Sequence, residues 1–270
     1  MADNLDLLSS KFVFENTMQY SLSIRHQPDG YSFSVKDDNG IVVAVKHLVS
    51  EKNYIPDNDP LLNLNFNKVT YIESGAFALI PVSLFSPEHA KIFMPLEKDK
   101  LSISNIRHCS IPDNILMDNS LIAFVSNDKQ LPQQIKSRLS KDLNTEFSHD
   151  ALLLIKMAAM IDEHSFVLCE LMAGKLIVLA VNNAKISAIT SYSVNTELDM
   201  LYYIMEMYRV LNFNPEQVKL FISGELTLFP FRNIVKDFVR FHDVITPKNI
   251  SDDISLPNPE YFSLISYCDY

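Results

Sequence analysis

Five side chains stand where their chemistry could matter. His108 precedes Cys109, His149 precedes Asp150, and Glu170 lies near the end of a predicted strand. A thiol beside an imidazole suggests nucleophilic catalysis, but neighbouring residues of a strand point to opposite faces, so the first pair is not expected to act together. Asp150 is explained as a cap or first-turn acid of a predicted helix. Glu170 remains as the acid with a positional argument.

The common sequence motifs of catalysis and ligand binding are missing. The chain has no GxxxxGK[ST], GxGxxG or GxSxG segment, which would indicate a phosphate loop, a dinucleotide site or a hydrolase nucleophile. None of the seven histidines has HxxH, HxxxH or HExxH spacing. We therefore assign no catalytic residue and no metal ligands.

Composition and charge restrict the possible partners and compartment. The 270 residues include 23 basic and 33 acidic side chains, a formal net charge of −10, which repels phosphate backbones and predicts no nucleic-acid partner. The three cysteines lack a CxxC pair, which predicts free thiols in a reducing compartment. The acidic amino terminus lacks the pattern of a secretory signal, and no apolar stretch reaches the roughly 20 residues of a spanning helix. We expect a cytoplasmic protein with no membrane partner.

The two halves of the sequence share one plan. A glycine-turned hairpin at Gly30 recurs at Gly174, which lies 144 positions later (174 − 30). A second block aligns Gly75 with Gly224 at an offset of 149 (224 − 75). Internal similarity at a fixed spacing predicts a duplicated structural unit.

Each half begins with the pattern of a three-stranded antiparallel meander. In the first half, apolar and polar residues alternate over 20–25 and 31–36, on either side of a Pro-Asp-Gly turn. In the second half the matching middle strand, 176–181, is apolar on both faces and should be covered on both sides. We predict a first lobe at 1–150 and a second lobe at 151–270.

A helix should follow the second meander. Thr196, with an acid three residues later, forms a capping-box pattern before a strongly apolar segment. Leu198 and Met205 are predicted to pack on the sheet. Met200 and Met207 are predicted to face a second layer or a partner protein.

Further elements are predicted along the chain. Region 48–67 is rich in Asn, Asp and Pro, so the crossover helix of the first lobe is expected to be reduced there. Strands are predicted at 101–107, 120–125, 218–222 and 261–270, and helices at 131–139, at 150–161 and around a stripe of Ile234, Phe238 and Phe241.

This order of elements resembles the ribonuclease-H-like unit that is duplicated in actin-like ATPases. More closely, the chain resembles a bacterial family of proteins of unknown function whose structural representative has that fold. The segments that carry the resemblance are FALIPVSLF (77–85), NTELDMLYYIM (195–205), LFISGELT (220–227) and PEYFSLISYC (259–268). It implies an α/β fold with mixed sheets, in which two ribonuclease-H-like lobes take the actin-like ATPase arrangement and each starts with a three-stranded antiparallel meander.

The resemblance also implies what an ATP site would need. Actin-like ATPases carry an acidic residue and glycines in the first turn of each meander, because carboxylates hold Mg²⁺ through water and backbone N–H groups approach the phosphates. In this chain Pro28 removes one N–H, and Met172 and Ala173 place side chains where glycines are expected. ATP hydrolysis is therefore not expected.

Two functional hypotheses follow. The first is a non-enzymatic pseudo-ATPase without a cofactor, which acts through contacts with a protein partner or through self-association, at the interlobe cleft or the helix face near Met200 and Met207. The alternative is a divergent ATPase that binds ATP and Mg²⁺. In that case Glu170 would order the metal or the attacking water, while Gly174 and Gly224 would admit the phosphates and the nucleoside.

Overall fold

Three β-sheets and the helices beside them contain most of the residues that the structure describes. The computed structural model describes residues 5–49, 59–94, 105–112, 119–126, 145–172, 174–224, 231–245 and 249–255. The strands are β1 (Leu5–Leu8), β2 (Ser21–Gln27), β3 (Gly30–Lys36), β4 (Val42–Val49), β5 (Lys68–Glu73), β6 (Phe77–Pro81), β7 (Ile106–Ser110), β8 (Ser120–Val125), β9 (Thr145–His149), β10 (Phe166–Met172), β11 (Lys175–Asn182), β12 (Lys185–Ser193), β13 (Lys219–Gly224) and β14 (His242–Val244). The helices are α1 (Pro60–Asn63), α2 (Pro87–Phe93), α3 (Asp150–Ala158), α4 (Glu197–Val210) and α5 (Phe231–Val235), with 3-10 turns at Phe14–Gln19 and Val82–Leu84.

The two larger sheets repeat one strand arrangement. The first has the order β1-β4-β3-β2-β5-β9, and the second has the order β12-β11-β10-β13-β14. In each sheet three antiparallel strands form a meander, and two later strands add in parallel beside its first strand. The predicted meanders and the mixed α/β architecture are confirmed.

The strand registers correct the correspondence between the halves. β2 begins its pairing with β5 at Ser21, and β10 begins its pairing with β13 at Phe166, so the first strands correspond at an offset of 145 (166 − 21). The parallel strands beside them correspond at 151 (219 − 68) instead of the predicted 149. As a result Gly30 corresponds to Lys175 and not to Gly174. Gapless matching aligns glycines, whereas hydrogen-bonded register decides which residues are equivalent.

The middle strand of the second meander, β11, is covered on both faces, as predicted. Every residue from 176 to 181 is fully buried. Ile177 and Leu179 join a core with α3, and Leu176 and Val178 join a second core beneath α4. A strand buried on both faces requires the continuous apolar run seen in the sequence.

Helix α4 begins with the predicted capping box. The Thr196 hydroxyl accepts a hydrogen bond from the Asp199 N–H, and the Asp199 carboxylate accepts one from the Thr196 N–H. Met200 and Met207 are both buried in the core between α4 and the second sheet. The hypothesis of a partner surface at these methionines is therefore wrong, and so is the prediction for Leu198, which is 64% exposed. The apolar residues of this helix are spread around its whole circumference, so the sequence pattern did not decide which side of the helix faces the sheet.

The third sheet has the order β6-β8-β7. Strand β8 confirms the strand predicted at 120–125. Strand β7 overlaps the end of the strand predicted at 101–107 and continues beyond it, and residues 101–104 are outside the described residues. The predicted stripe of the closing helix is wrong, because α5 ends at Val235, and Phe238 and Phe241 are each 48% exposed while Val239 is buried.

Several predictions fall on residues that are not described. These are the helix at 131–139, the strand at 261–270 and residues 50–58 of the crossover region. In the described remainder of 48–67, α1 is a single turn capped by Asp59, whose carboxylate accepts a hydrogen bond from the Leu61 N–H. Within the described ranges, no helix is long and apolar enough to cross a membrane.

The segment 249–255 returns to the first sheet. The Val42 N–H donates to the Asn249 carbonyl at 2.8 Å, and the Val42 carbonyl accepts from the Ser251 N–H at 3.0 Å. The Asp253 carboxylate accepts from the Ser10 N–H and hydroxyl at 2.7 and 2.6 Å. Residues that follow the strands of the second sheet in sequence are thus bound to the first sheet.

Met207→Ala should lower the free energy of unfolding by about 2–5 kcal/mol, because the truncation leaves a cavity between α4 and the second sheet. Leu198→Ala on the same helix is the matched control, and its effect should stay within roughly 0.5 kcal/mol because Leu198 is exposed. Urea unfolding followed by circular dichroism measures both. Equal losses would contradict the assignment of Met207 to the core.

Candidate functional site

The carboxyl ends of the central strands of both sheets meet around four charged side chains, here called the ionic cluster. Arg25 lies near the end of β2 and Glu170 near the end of β10. Asp150 is the first residue of α3, directly after β9, and Lys175 is the first residue of β11. Ligands of open α/β sheets bind outside the carboxyl ends of the strands. The ionic cluster occupies this place.

Arg25 binds two carboxylates from different parts of the chain. Its Nε donates to Asp150 Oδ1 at 2.6 Å, and its Nη1 and Nη2 donate to Glu170 Oε1 and Oε2 at 3.3 and 2.9 Å. All three side chains are buried. Arg25 and Glu170 are 145 positions apart, the offset between β2 and β10, so the bidentate pair joins equivalent points of the two sheets.

Lys175 completes the ionic cluster on the other side of Asp150. Its Nζ lies 3.4 Å from Asp150 Oδ2 and donates to the carbonyl and hydroxyl oxygens of Ser74 at 3.0 and 3.1 Å. Two cations therefore face two carboxylates, and their formal charges cancel. The contact with Ser74 also joins the first turn of the second meander to the loop after β5.

Burial and charge together set the protonation of the ionic cluster. Burial alone would raise the pKa of Asp150, but Arg25 and Lys175 outweigh burial and hold that pKa below its ordinary value. Burial raises the pKa of Glu170 in spite of Arg25, and burial lowers the pKa of Lys175 in spite of Asp150. Glu170 is therefore the first of the two carboxylates to take up a proton as the pH falls.

His149 fixes the start of α3 beside the ionic cluster. Its Nδ1 accepts a hydrogen bond from the Ala151 N–H at 3.1 Å, and its Nε2 lies 3.2 Å from the Gly75 carbonyl, to which the neutral Nε2–H tautomer donates. Phe77 and Phe124 pack against the ring. Burial lowers the pKa of His149 to about 3, so the imidazole is neutral at neutral pH.

The two glycines predicted for an ATP site lie against backbone. Gly174 has a left-handed φ of 83°, and a Cβ there would approach the Val194 carbonyl oxygen to 3.2 Å. Gly224 has a φ of 98°, and a Cβ there would collide with the backbone of Leu171. Both glycines are explained by strand and turn geometry. Of the three predicted residues, Glu170 is the one that lies in the ionic cluster.

Sequence reasoning missed Arg25 and Lys175, and it assigned Asp150 only to the start of a helix. Asp150 is in the first turn, as predicted, but His149 is the cap and the Asp150 carboxylate binds Arg25 and Lys175. The sequence did contain a signal that Arg25 is buried. Arg25 lies in the first strand of a meander, and parallel strands added beside that strand make it central in its sheet. An arginine buried in such a strand needs an acidic partner.

The His108–Cys109 pair does not form a nucleophilic site. The His108 ring packs against Phe85, whereas Cys109 packs against the core. Burial raises the pKa of Cys109 to about 12 and also raises that of Cys169, so neither is a thiolate at neutral pH. Both cysteines are free, as predicted, and Cys268 lies outside the described residues. In the part of the chain that the structure describes, no three His, Cys, Asp or Glu side chains are arranged to hold a metal ion.

Arg25→Met should lower the free energy of unfolding by about 3–5 kcal/mol, because two buried carboxylates would lose their shared cation. Adding Glu170→Gln removes one uncompensated charge, so the double variant should be more stable than Arg25→Met alone. The control is Arg209→Met, whose ion pair with Glu206 is on the surface, where water and salt screen it, so its loss should change stability little. Denaturant unfolding measures the stability of the single variant, the double variant and the control. Equal losses for Arg25→Met and Arg209→Met would contradict this account of the ionic cluster.

The neutral His149 should make stability depend on pH. Its pKa is about 3 in the folded chain against an ordinary 6.5, so its contribution is fully present above pH 6.5 and is lost as the pH falls towards 3. Between pH 7 and pH 4 the native chain should lose roughly 3 kcal/mol more than His149→Asn, because asparagine caps a helix without titrating. Urea unfolding across this range measures the difference, and the exposed His164→Asn is the control. Parallel pH profiles for the native chain and His149→Asn would show that His149 is not held neutral.

Comparison with known proteins identifies the fold. A Bacteroides thetaiotaomicron protein with an actin-like ATPase fold and unknown function has a TM-score of 0.69 and 18% identity, over 87% of this chain and 94% of that chain. A chain from the PilM–PilN type IV pilus biogenesis complex has a TM-score of 0.57 and 9% identity, over 92% of this chain and 96% of that chain. The fold is therefore that of the actin-like ATPases, as the sequence resemblance implied.

The sequence itself gives the family. No curated protein matches it. Residues 9–240 match the family DUF3822, described as a protein of unknown function. Because this match covers most of the sequence, the chain belongs to the DUF3822 family.

Proposed function

We propose that this chain is a non-catalytic protein with an actin-like ATPase fold, which acts through contacts with other proteins. The observation that carries the proposal is the ionic cluster. At the strand ends, where the fold would hold a ligand, two carboxylates are bound by two cations of the chain itself. Arg25 and Lys175 contact all four carboxylate oxygens of Asp150 and Glu170.

The carboxylates do not fit a magnesium ion. Mg²⁺ needs carboxylate or water oxygens at about 2.0–2.1 Å in octahedral geometry. Asp150 Oδ1 and both Glu170 oxygens accept hydrogen bonds from Arg25, and Asp150 Oδ2 faces Lys175. A divalent cation would have to displace Arg25 and Lys175 from the buried carboxylates. The displaced side chains would remain nearby, and their positive charges would repel the metal ion.

The turns also offer little to a phosphate. Pro28 has no N–H to donate, and the Met172 side chain is buried in the core. The open side of Gly224 is filled by the backbone of β10. Phosphate sites of this kind depend on several backbone N–H groups that converge without intervening side chains. These features support a site that has lost nucleotide binding.

Two observations support a role in protein contacts. A protein with this fold occurs in the PilM–PilN type IV pilus biogenesis complex, although shared fold alone does not transfer function. In this chain Leu198 and Tyr202 lie one turn apart on α4, and each is 64% exposed. Exposed aromatic and aliphatic side chains that stand together are typical of interaction surfaces.

Titration calorimetry with Mg-ATP and Mg-ADP tests this proposal. We expect no binding heat and no change in the thermal unfolding midpoint, because a ligand that binds the folded state would raise that midpoint. A dissociation constant in the low micromolar range would overturn the proposal and favour a divergent ATPase. In that case Glu170→Gln should abolish hydrolysis of ATP, and Asp38→Asn, at an exposed residue in the turn between β3 and β4, should not.

A further inference from the structure

The two larger sheets differ at the outer edge of their meanders. In the first sheet β1 pairs antiparallel with β4, the third strand of the meander. In the second sheet the third strand is β12, and within the residues that the structure describes no strand pairs with its outer side. β12 is nine residues long, whereas β14 at the opposite edge has three. A long open edge presents backbone N–H and C=O groups to which another strand can add.

Strand β1 shows how this fold accepts an added strand. It pairs with β4 from Ala44 to His47, directly after a register shift between β4 and β3. β12 has the same register shift against β11, and the residues that follow it, from Ala188 to Ser191, correspond to 44–47. The second sheet therefore offers the backbone segment that binds an antiparallel strand in the first.

Charge distinguishes the two edges. Lys46 of β4 faces Asp6 of β1 and lies 3.2 Å from its carboxylate, and the residue of β12 that corresponds to Lys46 is Thr190. The sequence from 186 to 193 contains no charged residue and no proline, in a chain with a net charge of −10. Edge strands that avoid pairing usually carry charges or proline. Beyond its first residue, β12 carries neither.

We propose that β12 pairs antiparallel with β12 of a second copy of this chain, centred on Thr190. A two-fold axis perpendicular to the sheet places Thr190 opposite its own symmetry mate. In this register Ala188 stands opposite Tyr192, Ile189 stands opposite Ser191, and no like charges meet. The inference rests on the proposed role in protein contacts and specifies the partner.

Aromatic side chains extend the surface beside this edge. Tyr192 of β12 stacks on Tyr203 of α4, with ring centroids 4.0 Å apart and planes at 10°. Tyr202 packs against Tyr203 and is largely exposed, as is Leu198 one turn earlier. Tyrosine is enriched in the cores of protein interfaces. Because one strand pair and one helix surface form a small interface, we expect reversible association that depends on concentration.

Thr190→Glu and Thr190→Lys test the register. Each variant alone places like charges opposite each other, so its self-association should be weakened by roughly tenfold or more. An equimolar mixture places carboxylate opposite ammonium and should recover association as a heterodimer. Sedimentation velocity of the full chain, from micromolar to near-millimolar concentration, measures both effects. Ser83→Glu and Ser83→Lys, at an exposed residue outside the sheet edges, control for the change in net charge and should behave like the native chain.

Three outcomes would overturn the proposal: a native chain that stays monomeric, single variants that associate like the native chain, or a mixture that does not recover association. Amide hydrogen exchange shows whether something other than a second copy covers the outer edge of β12. If the amides of β12 that face away from β11 are protected in a monomeric sample, another part of the same chain covers the edge and the second copy is wrong. None of these outcomes changes the result of the Mg-ATP titration, so failure of this inference and failure of the proposed function can be told apart.

Discussion

The buried guanidinium of Arg25 is the interaction on which the arrangement of the two sheets depends. It binds Glu170 at the equivalent point of the other sheet and Asp150 at the start of α3. Without this cation, two carboxylates would face each other in an interior where charge is poorly screened, and their repulsion would separate the elements that carry them. Lys175 extends the same balance to the loop after β5. The local charge balance therefore decides how the strand ends of both lobes meet.

The same balance bears on function. Strand ends in α/β sheets are where a fold usually exposes charged groups to a ligand, because side chains from several strands converge there. In this chain the converging groups bind one another, so every oxygen of the two carboxylates already contacts a cation of the chain itself. Glycines that could have indicated a nucleotide site are explained by close backbone contact. This is why the surface, and above all the edge of β12, is the region of interest for interactions.

Local patterns predicted much of this fold. Alternation and turn residues predicted both meanders, and the capping box predicted the start of α4, because each depends on residues close in sequence. The arrangement of lobes came from family resemblance. The ionic cluster was not predicted, because Arg25 and Glu170 become neighbours only through the packing of two sheets. Likewise Leu198 was expected to pack on the sheet and is exposed, because a helix with apolar residues on all sides does not specify which side is buried.

The return of residues 249–255 to the first sheet has a consequence for synthesis on the ribosome. Val42 in β4 receives hydrogen-bond partners that emerge about two hundred residues after it, and Arg25 acquires Glu170 only when the second meander has been made. The amino-terminal half therefore leaves the ribosome before Val42 and Arg25 have all the partners that they have in the folded chain. Domains usually fold as units during translation. In this chain the contacts of one unit extend from β2 to segment 249–255, so the unit cannot be completed before that segment has been made.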